Sequence, residues 1–223
     1  MVEYIKICGI KRVEDALLSV SLGANAIGVI VGARHKTEDE ISPEQAYEIF
    51  GSIEETYGDK GIYRVLVTHL TDPDEVYKIA RRIRANAIQI HSDMLFHHIL
   101  HLREVFRGLL IGVAHGNSDD VFIRVDLLVE TRATDMILID TKTHDRVGGT
   151  GITHDWNITK RLIETHPKTP FILAGGLSPE NVVTAIKTVR PYGVDVNSGV
   201  KGKDGYKDPE KLKAFIESAL RLQ

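Results

Sequence analysis

Two residues in this chain could carry proton-transfer chemistry, and each closes an apolar run. Cys8 ends Ile5-Lys6-Ile7-Cys8 with Gly9 directly behind it, and Asp140 ends Ile137-Leu138-Ile139-Asp140. Cys8 is the chain's one cysteine, so it has no internal disulfide partner and falls far short of a zinc set. It is either a small buried apolar residue or a reactive thiol. An unperturbed thiol titrates near roughly 8.5, so a modest environmental shift is enough to make a base that works near neutrality. A carboxylate closing an apolar run costs free energy unless it is solvated or paired. Asp140 therefore either forms an Asx-turn with the loop behind it or acts as an acid. A thiol and a carboxyl on opposite sides of a bound sugar would supply a general base and a general acid.

A second group of residues is suited to holding phosphate. Three small-residue turns come late in the chain: Gly148-Gly149-Thr150-Gly151, Gly175-Gly176 and Asn197-Ser198-Gly199. Glycine lets backbone N–H groups approach an anion closely. Any one such turn could be an ordinary loop. Three at matching ends of successive strands point to a phosphate site.

These residues need elements to position them. Short apolar runs fall at 4–8, 26–31, 63–68, 87–91, 109–114, 136–140, 170–174 and 194–197. Each is apolar almost throughout, as parallel strands buried on both faces are. Helix-period stretches fill the gaps at 12–22, 43–57, 72–84, 93–106, 119–131, 157–166, 179–189 and 208–220. Ser42-Pro43, Ser178-Pro179 and Asp208-Pro209 each read as an N-cap followed by proline at the first helical position. Eight strand–helix pairs in 223 residues predict one α/β domain over 1–223, a single (β/α)₈ TIM barrel. In that fold, strand ends at the C-terminal face carry the chemistry and the last loops hold phosphate. Cys8, Asp140 and the three turns all fall at that face.

Composition narrows the function classes. A formal charge of −3 gives no electrostatic reason to expect nucleic acid or an anionic membrane surface. No apolar run approaches the roughly 18 residues a transmembrane helix needs. Met1-Val2-Glu3-Tyr4 leads straight into a strand without a secretion-signal pattern. With a single cysteine, this predicts a cytoplasmic protein.

The chain resembles the phosphoribosylanthranilate isomerase family of tryptophan biosynthesis from end to end. The resemblance is carried by Lys6-Ile7-Cys8-Gly9-Ile10 with Glu14-Asp15-Ala16, Ile41-Ser42-Pro43-Glu44-Gln45-Ala46, Ile88-Gln89-Ile90-His91, Leu138-Ile139-Asp140-Thr141 and Gly148-Gly149-Thr150-Gly151. Leu173-Ala174-Gly175-Gly176-Leu177-Ser178-Pro179-Glu180-Asn181, Val194-Asp195-Val196, Ser198-Gly199-Val200 and Lys207-Asp208 continue it. The resemblance implies an Amadori rearrangement of N-(5-phosphoribosyl)anthranilate to 1-(2-carboxyphenylamino)-1-deoxyribulose 5-phosphate. It implies Cys8 as general base and Asp140 as general acid, with no cofactor and no metal. It further implies phosphate binding by Gly149, Gly151, Gly175, Gly176, Ser198 and Gly199, and a supporting role near the substrate for Asp195.

The chain departs from the family pattern in several places. The stretch after strand two, Gly32-Ala33-Arg34-His35-Lys36-Thr37-Glu38-Asp39-Glu40, is about two residues longer and carries acids directly before Ile41. Arg34, whose planar fork suits a carboxylate, is expected to hold the anthranilate carboxylate, with Lys36 as the alternative. His69, His115 and His154 stand where the family has other residues and are expected in the barrel mouth. His97 and His101 lie four apart but read as a solvated helix face rather than a metal site. The expected partner is a small phosphorylated substrate, with a monomer or homodimer equally compatible. Two other functions fit the same residues: a divergent paralogue acting on another phosphosugar amine, and a non-catalytic phosphosugar-binding barrel, which would not need both Cys8 and Asp140.

Overall fold

A computed structural model describes residues 2–33, 37–58, 60–141 and 153–221. Strands β1 (Tyr4–Ile7), β2 (Ala26–Ile30), β3 (Tyr63–Thr68), β4 (Ala87–Ile90), β5 (Leu109–His115), β6 (Met136–Asp140), β7 (Phe171–Leu173) and β8 (Gly193–Val196) close into a barrel in sequence order. Every neighbouring pair is parallel, including β8 against β1, where Lys6 faces Asp195 in register. The intervening helices are α1 (Val13–Ser21), α2 (Pro43–Tyr57), α3 (Pro73–Arg82), α4 (Phe96–Val105), α5 (Val121–Thr131), α6 (Trp156–Thr165), α7 (Val182–Val189) and α8 (Pro209–Leu220). The (β/α)₈ barrel expected from the apolar runs is the fold.

The strands are apolar on both faces because both faces are buried. Outward residues such as Ile5, Ile7, Ile27, Leu66, Ile88, Leu110, Ile137 and Val194 pack under the helices. Inward residues such as Tyr4, Cys8, Val65, Val67, Ile111, Val113, Leu138 and Ile172 fill the barrel. With a period of two, β1 points Tyr4, Lys6 and Cys8 inward, and β8 does the same with Gly193, Asp195 and Asn197. The polar members of these sets lie toward the C-terminal mouth.

Two of the three cap-and-proline signals act as helix starts. Ser42 and Gln45 form a reciprocal capping box on α2, and the Asp208 carboxylate accepts from Lys211 N on α8. The third does not. α7 starts at Val182, three residues after Pro179, because Asn181 intervenes: its Oδ1 accepts from Ser178 N at 2.9 Å and its Nδ2 donates to Gly176 O at 2.8 Å. That clamp shapes the β7 exit, where Gly175 and Gly176 both have positive φ (82° and 68°). α4 and α5 also begin two to three residues later than expected, at Phe96 and Val121. No helix among the described residues is long and apolar enough to cross a membrane.

Candidate active site

Cys8 follows β1 and Asp140 ends β6, both on the inward face at the C-terminal end of the barrel. Cys8 is 6% exposed, and the Asp140 side chain is 24% exposed. Each therefore meets the interior on one side and the mouth on the other. One Asp140 oxygen accepts from Thr141 N at 2.8 Å, which is the local turn contact a strand-end aspartate makes. The other lies 3.6 Å from His91 Nε2, too long for a hydrogen bond in the free protein. One oxygen of Asp140 is thus the turn acceptor of the Asx-turn reading, and the other faces the mouth. Burial pushes its carboxyl up to about 6, with Asp195 adding to the rise, while the Thr141 N–H and Lys6 oppose it. That value suits an acid that must give up its proton near neutrality.

The floor of the site is a buried ion pair. Lys6 Nζ, fully buried, donates to Asp195 Oδ1 at 3.0 Å. Burial pulls the ammonium toward neutrality, but Asp195 and Cys8 more than offset it, so Lys6 is charged. Gly28 on β2 makes room for the pair. A Cβ there would fall 2.9 Å from Lys6 Cε, 3.2 Å from its Nζ and 3.3 Å from Cys8 Cα. Sequence reasoning gave Asp195 only a supporting role and Lys6 none. The available signal was the period of β1, which sets Lys6 on the same face as Cys8. Lys6→Met is expected to cost about 3–5 kcal/mol in denaturant unfolding, because it strands a buried carboxylate. The Lys6→Met/Asp195→Asn double variant should recover a large part of that loss. A single variant as stable as wild type would show that the pair does not shape the barrel floor.

The thiol departs from expectation. Burial, the largest influence, raises it above the ordinary range, Lys6 and Lys207 pull it down, Asp195 pushes it up, and the balance is upward. In the free protein Cys8 is a thiol, and its usefulness as a base depends on the cations around it.

Histidines line the wall beside Asp140. His91 lies between His69 and His115, with edge-on ring centroids 5.3 and 5.8 Å away. Burial chiefly, then His69, His115 and Lys6, lowers its titration to about 3. It is therefore neutral beside Asp140 and forms no ion pair with it. Gln89 Nε2 sits 3.3 Å from His91 Nδ1, so in this arrangement the ring carries its hydrogen on Nε2, toward Asp140. His69 and His115 are in the mouth as expected. His154 is not. It is 5% exposed, with Nδ1 3.0 Å from Thr141 Oγ1 and Nε2 2.6 Å from Thr159 Oγ1. Its ring fills the space against Gly116, and burial lowers its titration to about 4. The interior tolerates histidine here because two threonines satisfy both ring nitrogens. His101 pairs with Asp74 of α3 at 3.2 Å rather than facing His97 across a metal site.

The turns after β7 and β8 converge on the same end. Gly175 lies so close to Thr141 that no side chain fits between them, and Gly199 is equally tight against the Leu177 carbonyl. The β6, β7 and β8 exits are therefore in contact. Ser198–Val200 forms one turn of 3₁₀ helix, whose leading N–H groups at Ser198 and Gly199 have no acceptor within the helix itself. Gly149 and Gly151, and the aglycone candidates Arg34 and Lys36, lie outside the described residues.

The closed eightfold barrel, with a thiol, a perturbed carboxyl and close-packed glycine exits at its C-terminal mouth, defines a (β/α)₈-barrel enzyme equipped for proton transfer. Sequence comparison specifies it further. The family model for N-(5'-phosphoribosyl)anthranilate (PRA) isomerase matches residues 5–218, and the chain belongs to that family. It is 37% identical to N-(5'-phosphoribosyl)anthranilate isomerase 2 of Methanosarcina mazei, covering 96% of this chain and 93% of that one. Its fold matches phosphoribosyl anthranilate isomerase of Thermotoga maritima with a TM-score of 0.83 at 35% identity, over 99% of this chain and 100% of that one. The protein from that organism is also described as dimeric. A phosphoribosyl anthranilate isomerase structure in complex with reduced 1-(o-carboxyphenylamino)-1-deoxyribulose 5-phosphate matches with a TM-score of 0.78 at 32% identity, over the same shares of the two chains.

Proposed function

We propose that the chain converts N-(5-phosphoribosyl)anthranilate to 1-(2-carboxyphenylamino)-1-deoxyribulose 5-phosphate, with Asp140 as general acid and Cys8 as general base. The observation that carries this reading is the pairing of a thiol and a proton-retaining carboxyl on the inward face of β1 and β6 at the barrel's C-terminal end. Asp140 gives its proton to the ribose ring oxygen as the C1–O bond breaks and the anilino nitrogen lone pair forms the C=N bond. The Cys8 thiolate then removes the C2 proton. The electron pair of that bond forms C1=C2, and the imine nitrogen accepts the displaced pair. The resulting enolamine becomes the ketone by losing its hydroxyl proton and gaining one at C1. Because nitrogen is the electron sink, the sequence draws on no metal, flavin or nicotinamide.

His91, neutral with its N–H toward Asp140, is suited to meet the carboxylate that proton donation leaves. Gly175, Gly176, Ser198 and Gly199, with Gly149 and Gly151, receive the phosphate, and Arg34 receives the anthranilate carboxylate. The chain works as one domain over 1–223, as a monomer or a homodimer. A cytoplasmic setting goes with this reading, and the partner is the small phosphorylated substrate rather than nucleic acid or membrane.

The pH dependence of kcat/KM tests it. The working form needs Asp140 protonated and Cys8 ionised, which is the reverse of their resting order. The rate should therefore rise and fall as a bell whose apparent values belong to the pair. Its acid limb is expected near about 6, the value burial gives Asp140, and its basic limb above the ordinary thiol range. A profile flat through the acid limb, or absence of turnover at every pH, would contradict the assignment.

A further inference from the structure

Cys8 must become a thiolate in surroundings that, on balance, favour the thiol. Lys6 supplies little net charge, because Asp195 neutralises it at 3.0 Å. Lys207 differs. It lies in the loop after β8, is 2% exposed, and donates to Asn197 O at 3.0 Å and Asn197 Oδ1 at 2.8 Å, both neutral acceptors. Among the described residues no carboxylate stands within ion-pairing distance of it; Asp39, the nearest acid of the neighbouring loop, is taken by Lys201 at 2.6 Å and by Asn197 Nδ2 at 2.9 Å. A buried ammonium with two hydrogens on neutral oxygens and no counter-ion is costly unless an anion completes the site.

The placement of Lys207 is built into the fold. Its backbone N–H donates to the buried Asp15 carboxylate of α1 at 3.0 Å, and its strand bridge to Lys201 folds the loop back over the barrel. Asn197, which holds the ammonium, packs its side chain against Gly9, the residue directly after Cys8, and Cys8 N donates at 2.8 Å to the carbonyl of Val196, the residue before Asn197, so the lysine is anchored on the residues that flank the thiol.

We propose that Lys207 is the counter-cation of the Cys8 thiolate, a positioning residue that makes the thiol ionisable during turnover. This rests on Cys8 being the base. On ionisation the thiol proton leaves to solvent, and the Lys207 charge holds the sulfur anion until it takes the C2 proton. The charged and titratable groups facing Cys8 are Lys6 and Tyr4 from β1, Asp195 from β8, and Lys207. Asp39 and Lys201 face Lys207 in turn, and burial lowers the Lys207 ammonium to about 8. It is thus charged through the range in which Asp140 begins to release its proton.

Because Cys8 is the only cysteine, iodoacetamide alkylation followed by intact mass reports its ionisation without reference to catalysis. In Lys207→Met alkylation at neutral pH, where the wild-type ammonium is charged, is expected to slow roughly tenfold. Lys207→Arg should restore most of it. kcat should fall in parallel, with KM little changed. Lys207→Gln, which keeps a donor for Asn197, gives the same reading if the methionine variant does not fold. An alkylation profile in either neutral variant that superimposes on wild type would overturn the proposal, as would a rise in KM alone, which would assign the lysine to the substrate. Failure of the base assignment would look different: Cys8→Ala would then keep its activity while the alkylation shift persisted.

Discussion

Cys8→Ala is expected to lower kcat by about 10³-fold, within the range that one proton-transfer group contributes, and to bind reduced 1-(o-carboxyphenylamino)-1-deoxyribulose 5-phosphate as wild type does. Among the described groups around the thiol, none replaces it as a base. Asp195 is committed to Lys6, and His91 lies across the mouth against Asp140. The fold should hardly change, because alanine fits the space of a small buried thiol. Thermal melting and analogue titration check the second half of this expectation, and single-substrate kinetics check the first. A variant that turned over at a tenth of the wild-type rate or better would remove Cys8 from the reaction.

Asp140→Asn is expected to separate activity from stability. Asparagine still accepts from Thr141 N but has no acidic proton, so kcat should fall by about 10²–10⁴-fold, and the break of the pH profile near about 6 should disappear, leaving a rate that keeps rising toward the thiol range. The stability change has the opposite sign. The carboxyl titrates at about 6 in the folded chain against an ordinary 3.8. Between those values the folded chain holds a proton that the unfolded chain has released, so the folded state loses stability as pH rises through that window. Above it the ionised carboxylate is a standing penalty of about 3 kcal/mol. Asp140→Asn removes that penalty, so it should unfold at higher denaturant than wild type at pH about 8 and show no gain well below pH about 4. Equal midpoints at both pH values would mean that burial does not burden this carboxylate.

The barrel was legible because its strands are apolar on both faces and its helices recur between them, a pattern that depends only on local periodicity. Cys8 and Asp140 were legible for the complementary reason: each is the first reactive residue after an apolar run, where a parallel barrel opens. What the sequence concealed depends on contacts between distant segments. Lys6 stands in plain view beside Cys8, yet its significance lies in Asp195, 189 positions away. Lys207 reads as a surface lysine before a helix, and only the fold-back of its loop and the grip of Asp15 bury it. His154 looked like a mouth residue because it follows β6 in the chain. The hydroxyls of Thr141 and Thr159 that draw it inside cannot be paired with it by spacing alone. The late start of α7 has a similar cause, since Asn181 competes with the helix for the groups that Ser178 was expected to cap. In each case a side chain satisfies a buried polar group that the one-dimensional pattern does not reveal.

The most direct test of the account is the turnover of freshly generated N-(5-phosphoribosyl)anthranilate, followed as loss of its anthranilate-type fluorescence, by wild type, Cys8→Ala and Asp140→Asn side by side. The account predicts rapid loss with wild type and nearly none with either variant, while all three still bind the reduced analogue. Undiminished loss with Cys8→Ala, or none with a folded, analogue-binding wild type, would contradict it.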